Sequence, residues 1–313
     1  MTGGGTLTTP AIRTRDLSKQ YGDVEALSGL DLEVGPGEVV GYLGPNGAGK
    51  TTTIRLLLGL IRPTRGQAQI FGLDCLRQAV EAHRRVAYVG GETSLWPSLT
   101  GTETLHLLGR VQGRVDTAYR DELIEMFDLD PSRKVRACSQ GNRQKLALIA
   151  ALMTRAELLL LDEPTNGLDP LAEQTFRRCI VDAAGSGQTV FLSSHILSEV
   201  EALCHRIGIL RRGVLVEMGT LQELRHLSAL SVEATFDGAG AVPDVRAIPG
   251  VSAVEVSGST LRCQMRGAPG PLLRVLADAG VRQLVSREPS LEELFLGFYD
   301  TQPDATPTPV RAG

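Results

Sequence analysis

Gly44-Pro45-Asn46-Gly47-Ala48-Gly49-Lys50-Thr51 is the stretch on which the reading of this chain turns. It has the form G-x-x-x-x-G-K-[ST]. An apolar strand-like run, Glu38–Leu43, precedes it, and a helical pattern from Lys50 to about Gly59 follows. Strand, glycine-rich turn and helix, in that order, make a phosphate-binding loop. The glycines let successive backbone N–H groups curl around phosphate oxygens with no Cβ in the way. The helix N-terminus adds a partial positive charge. Lys50 is placed to reach the β- and γ-phosphates of a nucleoside triphosphate. Thr51, followed by Thr52, is placed to offer its hydroxyl oxygen to Mg2+.

A second motif narrows the chemistry. Leu158-Leu159-Leu160-Leu161-Asp162-Glu163 reads as a buried strand ending in two acids. Asp162 sits where a carboxylate would bind Mg2+ through water. Glu163 lies one residue further, past the C-terminal edge of the strand, where open α/β sheets bind ligands. There it can orient and deprotonate an attacking water. Thr189–Ser193 reads as another buried strand, so a parallel sheet with helices on both faces is the expected core.

With these motifs in place the chain closely resembles ABC ATPases over about residues 11–220. Leu161-Asp162-Glu163-Pro164-Thr165-Asn166-Gly167-Leu168-Asp169-Pro170 resembles their Walker B strand running into the D-loop, with Asp169 in the latter. Cys138-Ser139-Gln140-Gly141-Asn142, followed by Arg143-Gln144, resembles their signature loop, Ser193-Ser194-His195 their switch-histidine segment, and Tyr21-Gly22 the aromatic loop that stacks on adenine. Taken singly these are weaker: Tyr21 could be a core aromatic, His195 a structural histidine and Ser139 a plain helix N-cap. The resemblance implies an α/β fold: a P-loop NTPase (RecA-like) core with antiparallel β and helical subdomains. It also implies ATP and Mg2+ as ligands, Glu163 and His195 as catalytic residues, and a head-to-tail pairing with a second ATPase subunit. In that pair ATP lies between one P-loop and the other signature loop. A homodimer is the expected form, driving a transmembrane permease subunit. Glu288-Pro289-Ser290-Leu291-Glu292-Glu293-Leu294-Phe295 resembles the ending of bacterial exporter ATPases of the drug-resistance and antibiotic self-protection kind.

Composition agrees with that reading. The chain has 313 residues and a net charge of −4, without the basic stripe of a nucleic-acid binder, so no nucleic-acid partner is expected. Its five cysteines form no C-x-x-C pair and are expected as reduced thiols. Met1–Pro10, Gly/Thr-rich and not apolar, is not expected to be a signal peptide, and the strongest apolar runs fall short of the roughly 20 residues of a membrane span. The expected location is cytoplasmic, peripheral on the inner face of the membrane through the permease. Residues 1–10 and 300–313 are expected to be disordered ends, 11–225 the ATPase domain with a helical insert at about 92–155, and 229–299 a small α+β domain. In the insert, Thr100 and Glu103 form a capping box, and Leu146, Ile149, Ala150 and Met153 an apolar helical stripe. In the small domain, strands are expected at Ser231–Phe236, Val251–Val256, Thr260–Met265 and Val281–Val285. A helix is expected at Pro271–Ala279 and a last one capped by Ser290 with Glu293. Two other readings carry less of the sequence. They are a non-transport soluble ABC ATPase and a weakly hydrolysing regulatory subunit.

One segment departs from the family pattern. Where a Gln, less often a Glu, ends a strand and contacts Mg2+, this chain reads Tyr88-Val89-Gly90-Gly91-Glu92. Gly91 takes the expected position and has no side chain, so Glu92 is the candidate to reach the Mg2+ shell in its place.

Overall fold

The computed structural model describes residues 9–91, 93–113, 115–226, 230–238, 241–287 and 292–293. Two compact units divide the chain, the first running to Met218 and the second starting at Gly219.

The first unit contains β1 (Ile12–Tyr21), β2 (Val24–Val34), β3 (Val39–Leu43), α1 (Lys50–Leu57), β4 (Arg65–Ile70), β5 (Leu73–Asp74), α2 (Ala79–His83) and β6 (Val86–Val89). These are followed by α3 (Gly101–Gln112), α4 (Thr117–Met126), a 3-10 turn (Val135–Ala137), α5 (Gln140–Leu152), β7 (Leu158–Asp162), α6 (Pro170–Gly185), β8 (Thr189–Ser194), α7 (Leu197–Leu203), β9 (Arg206–Arg211) and β10 (Val214–Thr220), whose last two residues already belong to the second unit. A six-stranded sheet in the order β10-β9-β3-β8-β7-β6 forms the centre. Within it β3 pairs in parallel with β8 and β9, and β7 with β6 and β8. Every residue of β3, β7 and β8 is buried. A parallel sheet covered on both faces needs such uninterrupted apolar strands, and each fully buried Leu of β7 contributes about 1.5–3 kcal/mol.

A second sheet, β2-β1-β4-β5, is antiparallel. Its long strands were expected only through the family resemblance, because their own pattern is broken. The β1–β2 register shifts between Thr14 and Leu17 and again around Lys19, and Asp16 has φ 47°. A bulge inserts residues that upset period-2 alternation. The helical insert holds α3, α4 and α5. Thr100 caps α3 with the reciprocal Glu103 contact of a capping box. Leu146, Ile149 and Ala150 of α5 and Met153, which caps it, are all buried, in one core with Leu105, Leu123 and Phe127.

The second unit contains α8 (Leu221–His226), β11 (Leu230–Thr235), β12 (Val251–Ser257), β13 (Thr260–Met265), α9 (Gly270–Asp278) and β14 (Gln283–Arg287). Its sheet runs β12-β13-β11-β14, and Leu272 and Leu276 of α9 pack with Val232, Ala234, Leu261 and Cys263 of the strands. The last strand starts two residues later than the sequence pattern suggests. After α9 the chain turns through Gly280, φ 73°, and Arg282 donates its N–H to Thr235 O, so pairing with β11 begins at Gln283. The expected cap at Ser290 lies outside the described residues. All five cysteines are free thiols. Among the described residues no helix is long and apolar enough to cross a membrane.

Candidate active site

The register of the central sheet assembles the site. Leu43 of β3 lies opposite Ser194 of β8, and Ser193 of β8 lies opposite Asp162 of β7. Three strands therefore end within one residue of one another, and the next residues, Gly44, Glu163 and His195, emerge at the same edge. The phosphate loop folds over that edge into α1. Gly49 caps the helix with φ 112°, and a Cβ there would lie 2.6 Å from Ala26 O, so the turn requires glycine. A pocket of about 320 Å³ results, lined by Tyr21, Ala26, Pro45, Asn46, Gly47, Gly49, Lys50, Thr51, Thr52 and Glu163. Gly44 and Ala48 complete the loop beneath it, with Ala48 N donating to Pro45 O.

Glu163 stands at the centre of the charged groups. One carboxylate oxygen is 3.2 Å from Lys50 Nζ, and the other is 3.0 Å from His195 Nδ1. Lys50 is buried and also donates to Gly44 O at 2.6 Å and Pro45 O at 3.3 Å. Glu163 has φ 48°, in the left-handed region that non-glycine residues rarely adopt. That turn bends the side chain off the strand axis towards Lys50. Its N–H is held by Ser193 O at 3.0 Å. Asp162 is buried and accepts from Ser193 Oγ at 2.5 Å. Tyr88 stands near enough to Asp162 for that carboxylate, after burial, to push the phenol above its ordinary pKa.

The remaining candidates sit elsewhere in the first unit. Ser139 is the N-cap of α5, its Oγ accepting from Asn142 N at 3.2 Å. Gln140 and Gly141 begin that helix, and a Cβ on Gly141 would come within 2.7 Å of Gly167 O, so the two loops touch. None of Ser139, Gln140, Gly141 and Asn142 lines the pocket at Lys50. Asp169 caps α6, and the Ala172 N–H together with Lys145, 3.1 Å away, holds its carboxyl below the usual range. Gly91 passes close to the end of β7, since a Cβ on it would be 3.3 Å from Asp162 O. Glu92 lies outside the described residues.

A family profile described as ABC transporter matches residues 27–166. The daunorubicin resistance ATP-binding protein DrrA3 of Streptomyces coeruleorubidus is 37% identical over 300 residues, spanning 91% of this chain and 95% of that protein. The chain belongs to the ABC transporter ATP-binding proteins. The bacitracin transport ATP-binding protein BcrA of Bacillus licheniformis is 42% identical to this ABC ATPase over 209 residues, 66% of this chain and 68% of that one. A solved structure of an ATP-binding subunit of an ABC transporter superposes with a TM-score of 0.66 at 32% identity, covering 69% of this chain and 92% of its own. This ABC ATPase is therefore an ATP-binding and ATP-hydrolysing transporter subunit.

Sequence reasoning assigned no role to three side chains of the ABC ATPase that hold the site together, although Ser193 and Gln144 stand inside the quoted motifs. Ser193 fixes Asp162. Lys145 fixes Asp169. Gln144, buried in α5, donates its Nε2 to Pro164 O at 2.8 Å, directly after Glu163. Each is a polar residue at a position the apolar pattern would fill, which is the available signal.

Proposed function

We propose that this ABC ATPase powers an exporter of the drug-resistance and antibiotic-transport kind. It acts through a separate transmembrane permease, on the inner face of the membrane, and closes on a second copy of itself around ATP. Lys50 and the P-loop N–H groups bind the phosphates, and Tyr21 stacks on the base. Glu163 takes a proton from the attacking water, and His195 contacts the γ-phosphate. Ser139, Gln140, Gly141 and Asn142 meet the ATP of the opposite subunit, with Asp169 beside that interface. No nucleic-acid partner is invoked.

The donors available for Mg2+ are the Thr51 hydroxyl and the Asp162 carboxylate, both hard oxygens. Among the described residues no group of three or more His, Cys, Asp or Glu could cage a metal. That donor set fits an ion completed by phosphates and water. Glu92 is the candidate for a further water-mediated contact. Bound there, Mg2+ would neutralise charge on the β- and γ-phosphates.

The observation that carries the catalytic part is the Glu163 carboxylate held between Lys50 and His195 at the pocket. Export is supported by near full-length similarity to a daunorubicin resistance protein and partial similarity to a bacitracin transport protein. The test is to reconstitute the protein with a candidate transmembrane permease and screen antibiotics for stimulation of ATP turnover. Stimulation by a compound that also accumulates on the far side of the vesicle supports the reading. A protein that neither binds that permease nor responds to it refutes it.

A further inference from the structure

His195 lies between β8 and α7, and α7 begins without a side-chain cap from its own N-cap residue, Ile196. Two neighbours supply one instead. Ser194 Oγ accepts from Ile196 N at 2.9 Å and donates to Glu199 Oε2 at 2.7 Å. Glu199 is the third residue of α7, the position from which the acid of a capping box reaches back to the N-cap N–H. Here the Ser194 hydroxyl stands between the two. One hydroxyl therefore holds the residues on either side of His195. The His195 side chain is 48% exposed, so its backbone, more than packing around the ring, fixes where it points.

Glu199 is an unusual acid for a cap. The acids of the Thr100–Glu103 and Thr220–Glu223 boxes are exposed. Glu199 is 2% exposed, and its Oε1 has no hydrogen-bond partner. From α6 it faces Glu173, a like charge, and Arg177, whose Nε is also without a partner. Burying a carboxyl with one oxygen unsatisfied costs stability, and an apolar side chain of similar size would pack there at lower cost. Capping alone does not account for such a residue. Its remaining neighbour does. The Thr165 hydroxyl lies beside the Glu199 carboxyl. Thr165 is buried and stands two residues after Glu163, as Ser194 stands one before His195. Glu163 and His195 meet at 3.0 Å, and Glu163 has the left-handed backbone that persists only where its surroundings hold it. Behind that contact a single buried carboxyl touches both of the loops that make it.

We propose that Glu199 is a positioning residue: through Ser194, and against Thr165, it sets His195 where it meets Glu163 and the γ-phosphate. That role rests on the catalytic reading of His195 and Glu163 above. It requires a hydrogen-bond acceptor at residue 199 and no charge, because Ser194 uses one oxygen only.

The test uses the full chain in the variants Glu199→Leu, Glu199→Gln, Ser194→Ala, His195→Ala and the Ser194→Ala, Glu199→Leu double variant. The measurements are phosphate release, binding of a fluorescent ATP analogue, and Tm. In Glu199→Leu the Ser194 hydroxyl loses its acceptor, and kcat should fall roughly three- to tenfold. KM and analogue binding should stay within about twofold, because none of Thr165, Ser194 and Glu199 lines the nucleotide pocket. Tm should not fall with kcat, since leucine buries no unpaired oxygen. Glu199→Gln, which keeps an acceptor, should return kcat to within about twofold. Ser194→Ala should slow turnover at least as much as Glu199→Leu, and the double variant no more than Ser194→Ala alone. If Glu199→Leu does not fold, Glu199→Met, which also lacks the acceptor, takes its place. A Glu199→Gln variant as slow as Glu199→Leu overturns the proposal. So does a double variant whose loss is the product of the single losses, and so do kcat losses that track ATP binding or Tm. Turnover at the unsubstituted rate in His195→Ala refutes the catalytic reading of His195 itself. Slow turnover there, with wild-type kcat in Glu199→Leu, refutes the positioning role alone.

Discussion

Glu163→Gln separates catalysis from binding because one carboxylate serves two neighbours. The substitution keeps the side-chain shape and removes both the proton acceptor and the charge. At 3.2 Å from Lys50, in surroundings of effective dielectric about 20, the gross attraction is about 5 kcal/mol. Most of it offsets the desolvation of a buried ammonium. The glutamine oxygen still accepts from Lys50, and Gly44 O and Pro45 O remain. The expected cost to folding is therefore about 1–3 kcal/mol, seen as a lower Tm without nucleotide. In the unsubstituted protein a γ-phosphate must compete with Glu163 for Lys50, and in the variant it does not. ATP affinity should be equal or higher, and ATP should recover much of the lost Tm. Turnover should fall roughly 10²–10⁴-fold with the general base gone. The assays are phosphate release, binding of a fluorescent ATP analogue, and size-exclusion chromatography, in which an ATP-held dimer should accumulate. Phosphate release within about threefold of the unsubstituted protein would refute the assignment. So would weaker ATP binding, because the Lys50 argument requires the opposite sign.

Two further outcomes follow from groups outside the pocket. Glu199 on α7 is buried, and burial pushes its carboxyl up, partly offset by the hydroxyls of Ser194 and Thr165. The folded protein then holds this proton more tightly than the unfolded chain. Its contribution is present below the ordinary value of 4.5 and is lost as pH rises through the raised one. Glu199→Gln should raise Tm by an amount that grows from about pH 4 towards pH 8, and a gap that does not change with pH would contradict this. A chain ending at His226 should bind ATP with unchanged affinity, because every pocket-lining residue precedes Gly219 and the second unit has its own core; loss of binding in a folded truncation would count against it.

What could be read from the sequence was local. The P-loop, the Leu158–Asp162 strand and the Thr100–Glu103 box each declare themselves within a few residues, and the structure places them at those positions. What could not be read was contact across distance in the chain. Ser193 and Asp162 are 31 residues apart, Thr93 and Gln144 are 51 apart, and no periodicity names such partners. The left-handed backbone of Glu163 is equally silent, since a non-glycine residue carries no mark of it and tertiary contacts impose it. Yet Ser193 was derivable in principle. A hydroxyl at the end of a strand buried on both faces must find a partner. In a parallel sheet its choices are the neighbouring strand ends, and the strand beside it ends in an acid at the same level. Sheet register therefore converts one unexplained polar residue into a prediction of which carboxylate it orients. Gln144 yields to the same reasoning. It interrupts the apolar face of a helix, so its amide must be satisfied by whatever that face packs on, and the loop it packs on carries Glu163.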